Sequence, residues 1–181
     1  MNNLGFRFMS FYFRFRDYFD PPIKILQQIG IQVGANVLDF GAGSGSYSIP
    51  AAQLVGPTGQ VYAADIHPLA INEIRKKAEM KEIRNLHTIL TECKTRLPDA
   101  SIDVIRLFYV LHDFKNPYSI IVELDRVLKP KGILAILDHK YDRPKVVSTI
   151  SHATNALKLR DTGDRNGKSK EILLIFSKQE S

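Results

Sequence analysis

The stretch VLDFGAGSGSYS, Val37 to Ser48, decides the fold. Two apolar residues, Val37 and Leu38, run into an acid, Asp39. Glycines then stand at alternate positions, Gly41, Gly43 and Gly45, and Ser46 to Ala52 read as the start of a helix. A short apolar run, a glycine cluster and a helical start predict a buried strand, a tight turn and a helix N-terminus. Glycines in such a turn adopt positive φ and let backbone approach a ligand closely. In doubly wound sheets this place, the carboxyl end of the first strand, is where nucleotides bind.

Asp39 discriminates between nucleotide ligands. A dinucleotide site aims a helix N-terminus at an anionic pyrophosphate, which a carboxylate here would repel. The same carboxylate suits an ammonium or a sulfonium. Asp65 follows Gly45 by 20 residues, at the end of a second apolar run, VYAAD. An acid at that position holds two ribose hydroxyls. The pair therefore asks for an adenosine with a cationic amino-acid tail, which is S-adenosylmethionine. The Val37–Ser48 stretch resembles the first motif of class I S-adenosylmethionine-dependent methyltransferases, and Asp65 resembles their acidic second motif.

Working outward, Asp20 reads as an N-cap with Pro21 at the first helical position, and Ile23, Leu26 and Ile29 make a short helix closed by Gly30. Strands are expected at 37–39, 61–64, 86–90, 104–110 and 133–137. Helices are expected from near Ser46 to Val55, from Pro68 to about Lys81, and from Pro117 until Pro130 and Gly132 end it. Strands alternating with helices imply a parallel sheet with helices on both faces. After Asp138 the pattern changes: 146–156 reads as helix, and 156–162 with 171–177 as a hairpin around Gly163, Asn166 and Gly167.

The first 19 residues hold eight aromatics. Phe8, Phe11, Tyr12, Phe15 and Phe19 follow helical spacing, although the FRFR alternation also suits a strand. Residues 1–30 are therefore set apart as an aromatic, helical lid segment, with residues 31–181 as the cofactor-binding domain. The segment packs on the domain or covers the site, or lies on a membrane surface with Arg7, Arg14 and Arg16 toward headgroups.

The chain has 181 residues, 44% of them hydrophobic, enough for one domain with a real core. One cysteine, Cys93, excludes an internal disulfide framework and fits a reducing compartment. No signal-peptide pattern opens the chain and no apolar run reaches membrane-span length, so a cytoplasmic location is expected. The net charge of +6 is concentrated in residues 139–181, which carry 9 basic and 5 acidic side chains. That part is either a solvated face or an attractor of anions.

The resemblance extends over nearly the whole chain from Gln32. RLPDASIDVIRLFYVLHDF, Arg96 to Phe114, is similar to the family's fourth region, and VLKPKGILAILDH, Val127 to His139, to its sixth, usually written LKPGG. Lys131 replaces the first of those glycines, which matters little if Gly132 takes the positive φ. The resemblance implies a Rossmann-like seven-stranded sheet of order 3-2-1-4-5-7-6 with an antiparallel last strand. The nearest pattern is the small-molecule branch that includes the ubiquinone/menaquinone and arsenite methylases. It implies S-adenosylmethionine as cofactor and S-adenosylhomocysteine as product. By the same resemblance, Asp39, Gly41 and Gly43 line the methionine part of the cofactor and Asp65 takes the ribose. Ile66, His67, Glu92 and Cys93 flank the adenine, and Phe108 and Tyr109 end strand four beside the cofactor.

Methyl transfer from a sulfonium needs alignment and exclusion of water. It needs a base only if the acceptor carries a proton. His139, His112 and Asp138 follow strands five and four and are the candidates for that base. No HxxxH or CxxC spacing suggests a metal, and neither a GxSxG elbow nor a GxxxxGK[ST] loop occurs. The sequence after strand four, FYVLHD, lacks the tetrad of nucleic-acid base-amine methylases. The reading is a methyltransferase of small molecules, acting as monomer or homodimer. The alternatives are an RNA methyltransferase and a non-catalytic S-adenosylmethionine-binding partner subunit.

Overall fold

The computed structural model describes residues 22–164 and 171–180. The aromatic stripe predicted within residues 6–19, the Asp20 cap and the hairpin tip at Asn166 and Gly167 lie outside them. The chain divides into two compact units between Glu92 and Cys93. Seven strands form one sheet in the order β3-β2-β1-β4-β5-β7-β6, the order the resemblance implied.

The first unit starts with α1 (Pro22–Gln28), which buries Ile25 and Leu26. Gly30 ends it at φ 87°, with Gly30 N–H donating to Gln27 and Ile31 N–H to Leu26. That paired closure is the Schellman motif, and only glycine adopts its conformation without cost. There follow β1 (Asn36–Phe40), α2 (Ser48–Val55), β2 (Gln60–Asp65), α3 (Pro68–Met80) and β3 (Leu86–Leu90). The three strands are parallel, with Asp39 opposite Ala63 and Asp65 opposite Leu90. The register brings both acids to carboxyl ends of strands. Helix α3 buries Ala70, Ile71, Ile74 and Ala78, one face at helical spacing.

The second unit contains β4 (Ile102–Phe108), a 3₁₀ turn (Leu111–Asp113), α4 (Pro117–Val127), β5 (Leu128–Asp138), α5 (Arg143–Ala153), β6 (Leu157–Asp164) and β7 (Ile172–Lys178). Strands β4 and β5 are parallel, whereas β7 runs antiparallel to both β5 and β6. Asn116 and Asp142 cap α4 and α5, each accepting the backbone N–H three residues on. Glu123 of α4 anchors the chain ahead of β4: its carboxylate accepts both Thr95 N–H (2.8 Å) and Thr95 Oγ–H (2.7 Å). Arg126 donates to Glu123 and to the Leu97 carbonyl, and pairs with Asp99.

Three sequence expectations are corrected here. Strand β4 stops at Phe108 rather than Val110, because Tyr109 turns to φ 58°. Helix α4 ends at Val127, before Pro130, because Leu128 already pairs with Ile102 as the first residue of β5. The positive φ of the LKPKG segment falls on Lys131, at 64°, and not on Gly132. Gly132 is required for space instead. A Cβ there would stand 2.7 Å from Leu128 Cδ1 and 2.8 Å from the Lys129 carbonyl oxygen.

Among the described residues no helix is long and apolar enough to cross a membrane.

Candidate functional site

The predicted residues fall into two groups, one in each unit. In the first, backbone builds the geometry. Gly41 N–H and Ala42 N–H both donate to the Ala64 carbonyl at the end of β2, at 2.8 and 3.0 Å. Gly41, Gly43 and Gly45 all take positive φ, at 78°, 54° and 80°. Their surroundings differ. A Cβ on Gly45 would lie 2.9 Å from Ile74 Cγ1 of α3, whereas one on Gly43 would meet nothing within 4 Å. Lys77, one turn beyond Ile74, donates to the Ser44 carbonyl at 2.6 Å. Helix α3 thus grips the loop at Ser44 and Gly45, while Gly43 faces open space.

Asp65 joins this loop to the next element. Its Oδ2 accepts Gly43 N–H and its Oδ1 accepts His67 N–H, both at 2.8 Å. Each carboxylate oxygen has two lone pairs, so each retains acceptor capacity for a hydroxyl. His67 caps α3, its Nδ1 accepting Leu69 N–H at 3.2 Å. That assigns the ring proton to Nε2 when the imidazole is neutral. Between them Ile66 is 62% exposed, a large apolar side chain open to an apolar partner.

Asp39 is 1% exposed, and its Oδ2 accepts Ser48 Oγ–H at 2.5 Å. Ser48 is the first residue of α2, so the carboxylate lies where a helix dipole favours negative charge. Ser44 Oγ is buried and meets no hydrogen-bond partner among the described residues. Open space at Gly43, spare acceptor capacity on Asp65, exposed Ile66 and the unmatched Ser44 hydroxyl fit an adenosine-bearing ligand. Glu92, two residues past β3, is exposed.

The second group is made by side chains. Asp138, at the end of β5, is fully buried. Both its oxygens lie 2.9 Å from His112 Nδ1, and Oδ1 also accepts Lys140 N–H (2.8 Å) and Tyr141 N–H (3.1 Å). Burial alone would raise the Asp138 pKa, but the His112 bond and the two backbone donors outweigh it and hold the carboxyl below its usual range. An ionised carboxylate only accepts, so His112 Nδ1 carries a proton toward it. His139 is exposed, and its ring meets those of His112 (centroids 5.1 Å, edge-on) and Tyr109 (5.8 Å). Ligand-capable atoms of His112, Asp138 and His139 lie within 4.8 Å of one another. With Nδ1 donating to Asp138, the acceptor nitrogen of His112 is Nε2.

Phe108 is a core residue, 3% exposed, with the Arg106 guanidinium 4.8 Å from its ring centroid. Cys93 is half-buried, its Sγ 3.6 Å from the Ser119 carbonyl. Sequence reasoning missed Ser48 and Lys77. Ser48 had a signal, since a serine opening the helix after the loop can reach the acid that precedes it. Lys77 lies 33 residues from its partner and had none.

Similarity to known proteins bears on the chemistry. A methyltransferase domain family model matches residues 31–174. The chain is 34% identical over 122 residues to the ubiquinone/menaquinone biosynthesis C-methyltransferase UbiE of Blochmanniella pennsylvanica, covering 66% of this chain and 48% of that protein. It is 31% identical over 116 residues to the demethylmenaquinone methyltransferase of Listeria welshimeri, covering 64% and 49%. The chain thus spans about half the length of the curated relatives it matches. Among solved structures, a SAM-dependent methyltransferase from Aquifex aeolicus superposes with a TM-score of 0.76 at 26% identity, covering 87% of this chain and 88% of that one. The [4+2]-cyclase SpnF reaches the same TM-score at 14% identity, covering 88% and 80%. A cyclase on this fold means that the fold alone does not assign methyl transfer. Sequence and fold agree where the family model spans both, and the chain belongs to the methyltransferase domain family.

Proposed function

We propose that the chain is an S-adenosylmethionine-dependent methyltransferase acting on a small molecule of the quinone class. One observation carries the cofactor half of this reading. Asp65 holds Gly43 and His67 by their backbone N–H groups and keeps acceptor capacity beside a glycine with open space around it. When bound, S-adenosylmethionine supplies an electrophilic methyl on a sulfonium. Asp65 takes the ribose hydroxyls, Gly43 leaves room for the methionine part, and Ile66 offers an apolar face to adenine. Asp39, fixed by Ser48, supplies the negative charge that suits a cationic tail. The acceptor class rests on the names of the relatives, a C-methyltransferase of ubiquinone/menaquinone biosynthesis and a demethylmenaquinone methyltransferase.

The test is transfer of labelled methyl from S-adenosylmethionine to a short-tailed demethylmenaquinone, offered in its quinone and hydroquinone forms, with bulk RNA alongside. Label in the extracted naphthoquinone supports the reading. Label in RNA alone would move the activity to nucleic acid. Tight cofactor binding with no label in either acceptor or in a metabolite extract would make the chain a binding subunit.

A further inference from the structure

We propose that the outer edge of β3 docks a second copy of this chain, which adds its own β3 antiparallel about a two-fold axis at Thr88. The inference goes beyond the methyl-transfer reading and does not depend on it.

The two end strands of the sheet, β3 and β6, differ. An end strand shows a row of unpaired N–H and C=O groups that another strand can pair with, and charges, proline or a bulge discourage that pairing. Strand β6 has such guards. Lys158 and Arg160 are exposed, and the pairing with β7 is irregular between Leu159 and Asp161. Strand β3 has none. Its five residues, LHTIL, include no charged side chain and no proline, and their register with β2 is regular throughout. Leu90 is 56% exposed, a large apolar side chain on an open edge.

Hydrogen bonds on the inner side fix which groups face outward. Val61 N–H donates to the Asn85 carbonyl at 2.8 Å, and Thr91 N–H to the Asp65 carbonyl at 3.0 Å. Successive residues of a strand turn their backbone groups to opposite edges. Asn85, His87, Ile89 and Thr91 therefore serve β2, and Leu86, Thr88 and Leu90 face outward.

An antiparallel copy centred on Thr88 sets Thr88 opposite its own counterpart and Leu86 opposite Leu90 on both sides of the axis. Every outward-facing backbone group of the strand then gains a partner. The side chains match as well. Leu86 packs against the cluster of Ala42, Ala63 and Ile74. Leu90 lies on the same face by alternation, so each exposed Leu90 meets a leucine of the other copy. On the other face Ile89 meets His87, which is exposed and stacked on Tyr62 at 5.4 Å between ring centroids.

The flanking charges select this register. It sets Arg84 opposite Glu92 in both directions, and opposite charges across strands stabilise a pairing. Both residues are exposed, and neither has an ion-pair partner among the described residues. The next allowed registers set Arg84 against Leu90, or Glu92 against Leu86. A contact in which the same patch serves both copies closes as a dimer and does not grow into a filament. A contact of one five-residue strand is small, so the dimer should dissociate on dilution.

Analytical ultracentrifugation of the purified full chain tests this. The mass should rise from one chain to two with concentration. Leu90→Lys, Arg84→Glu and Glu92→Arg should each weaken the dimer at least about tenfold, because the axis doubles every change. The double variant Arg84→Glu/Glu92→Arg should return to within about threefold of wild type, a rescue that misfolded protein would not show. Hydrogen exchange in wild type should slow at the Thr88 and Leu90 amides as concentration rises, and change little at His87 and Ile89, which already serve β2. A monomer at every concentration overturns the proposal. So does a dimer that Leu90→Lys leaves intact, since it forms on another face. A dimer weakened by both charge variants and not restored in the double variant overturns the register. Equal protection of Thr88 and Leu90 at all concentrations means that the edge is covered within one chain, and it overturns the docking of a second copy.

Discussion

In the glycine loop of the first unit, backbone meets backbone: Gly41 and Ala42 donate to Ala64, and the one carboxylate that intervenes, Asp65, accepts from the backbone of Gly43 and His67. In the turn of the second unit, side chain meets side chain, as His112 reaches Asp138 across 26 residues of sequence. A site made of backbone is fixed by φ angles, so its conformation is sensitive to a single Cβ. A site made of two ionisable side chains tolerates backbone change and responds to pH. The first suits a ligand held the same way in every turnover.

The largest effect should come from breaking the first. Gly43→Val places a β-branched side chain at φ 54° in open space, and S-adenosylhomocysteine binding by calorimetry should weaken at least about 100-fold. Gly45→Ala sharpens the contrast within the loop. Its Cβ would press on Ile74 Cγ1, so the loss should appear as about 1–3 kcal/mol of stability in denaturant unfolding.

The second unit should show the pH response. Burial would raise the Glu123 pKa, but the Arg126 bond and the two Thr95 donors outweigh it and bring it from 4.5 to about 2. A depressed carboxylate contributes stability above its unfolded pKa and loses it as pH falls toward the folded value. Unfolding free energy should therefore drop between pH 4.5 and about 2, and Glu123→Gln should flatten that slope while lowering stability near neutrality. Asp138 acts in the same direction, since its pKa is also held low. A wild-type curve with no slope in that window would contradict the buried Glu123–Arg126 pairing.

The smallest effect tests a departure visible in the sequence. Lys131→Gly relieves a positive φ of 64° and should raise stability by up to about 1 kcal/mol, read as a shift in Tm.

These two regions also mark what the sequence made legible. Strand β3 falls at the predicted residues, and β1 and β2, short apolar runs that end at or beside an acid, within one residue at each end. The loop was legible for the same reason: positive φ favours glycine, and chain order alone takes Asp39 and Asp65 to strand ends. The end of α4 was not. Pro130 reads as a helix breaker, yet pairing of Leu128 with Ile102 ends the helix first. Nor does spacing reveal that Lys131 rather than Gly132 takes the left-handed conformation. The histidines were visible as candidates, but nothing local distinguishes His112 from His139. Only the finished parallel pairing of β4 and β5 brings one of them to Asp138.

The most direct test of the account is calorimetric titration of the purified chain and its Asp65→Ala variant with S-adenosylhomocysteine and with NAD. Asp65 is the residue on which the loop and the α3 cap converge, and the one to which we assign the ribose hydroxyls. The account predicts that wild type binds S-adenosylhomocysteine and not NAD, and that Asp65→Ala weakens binding by about 1.5–3 kcal/mol, the range for losing charged hydrogen bonds. Binding of NAD without S-adenosylhomocysteine, or an Asp65→Ala variant that binds as tightly as wild type, would contradict it.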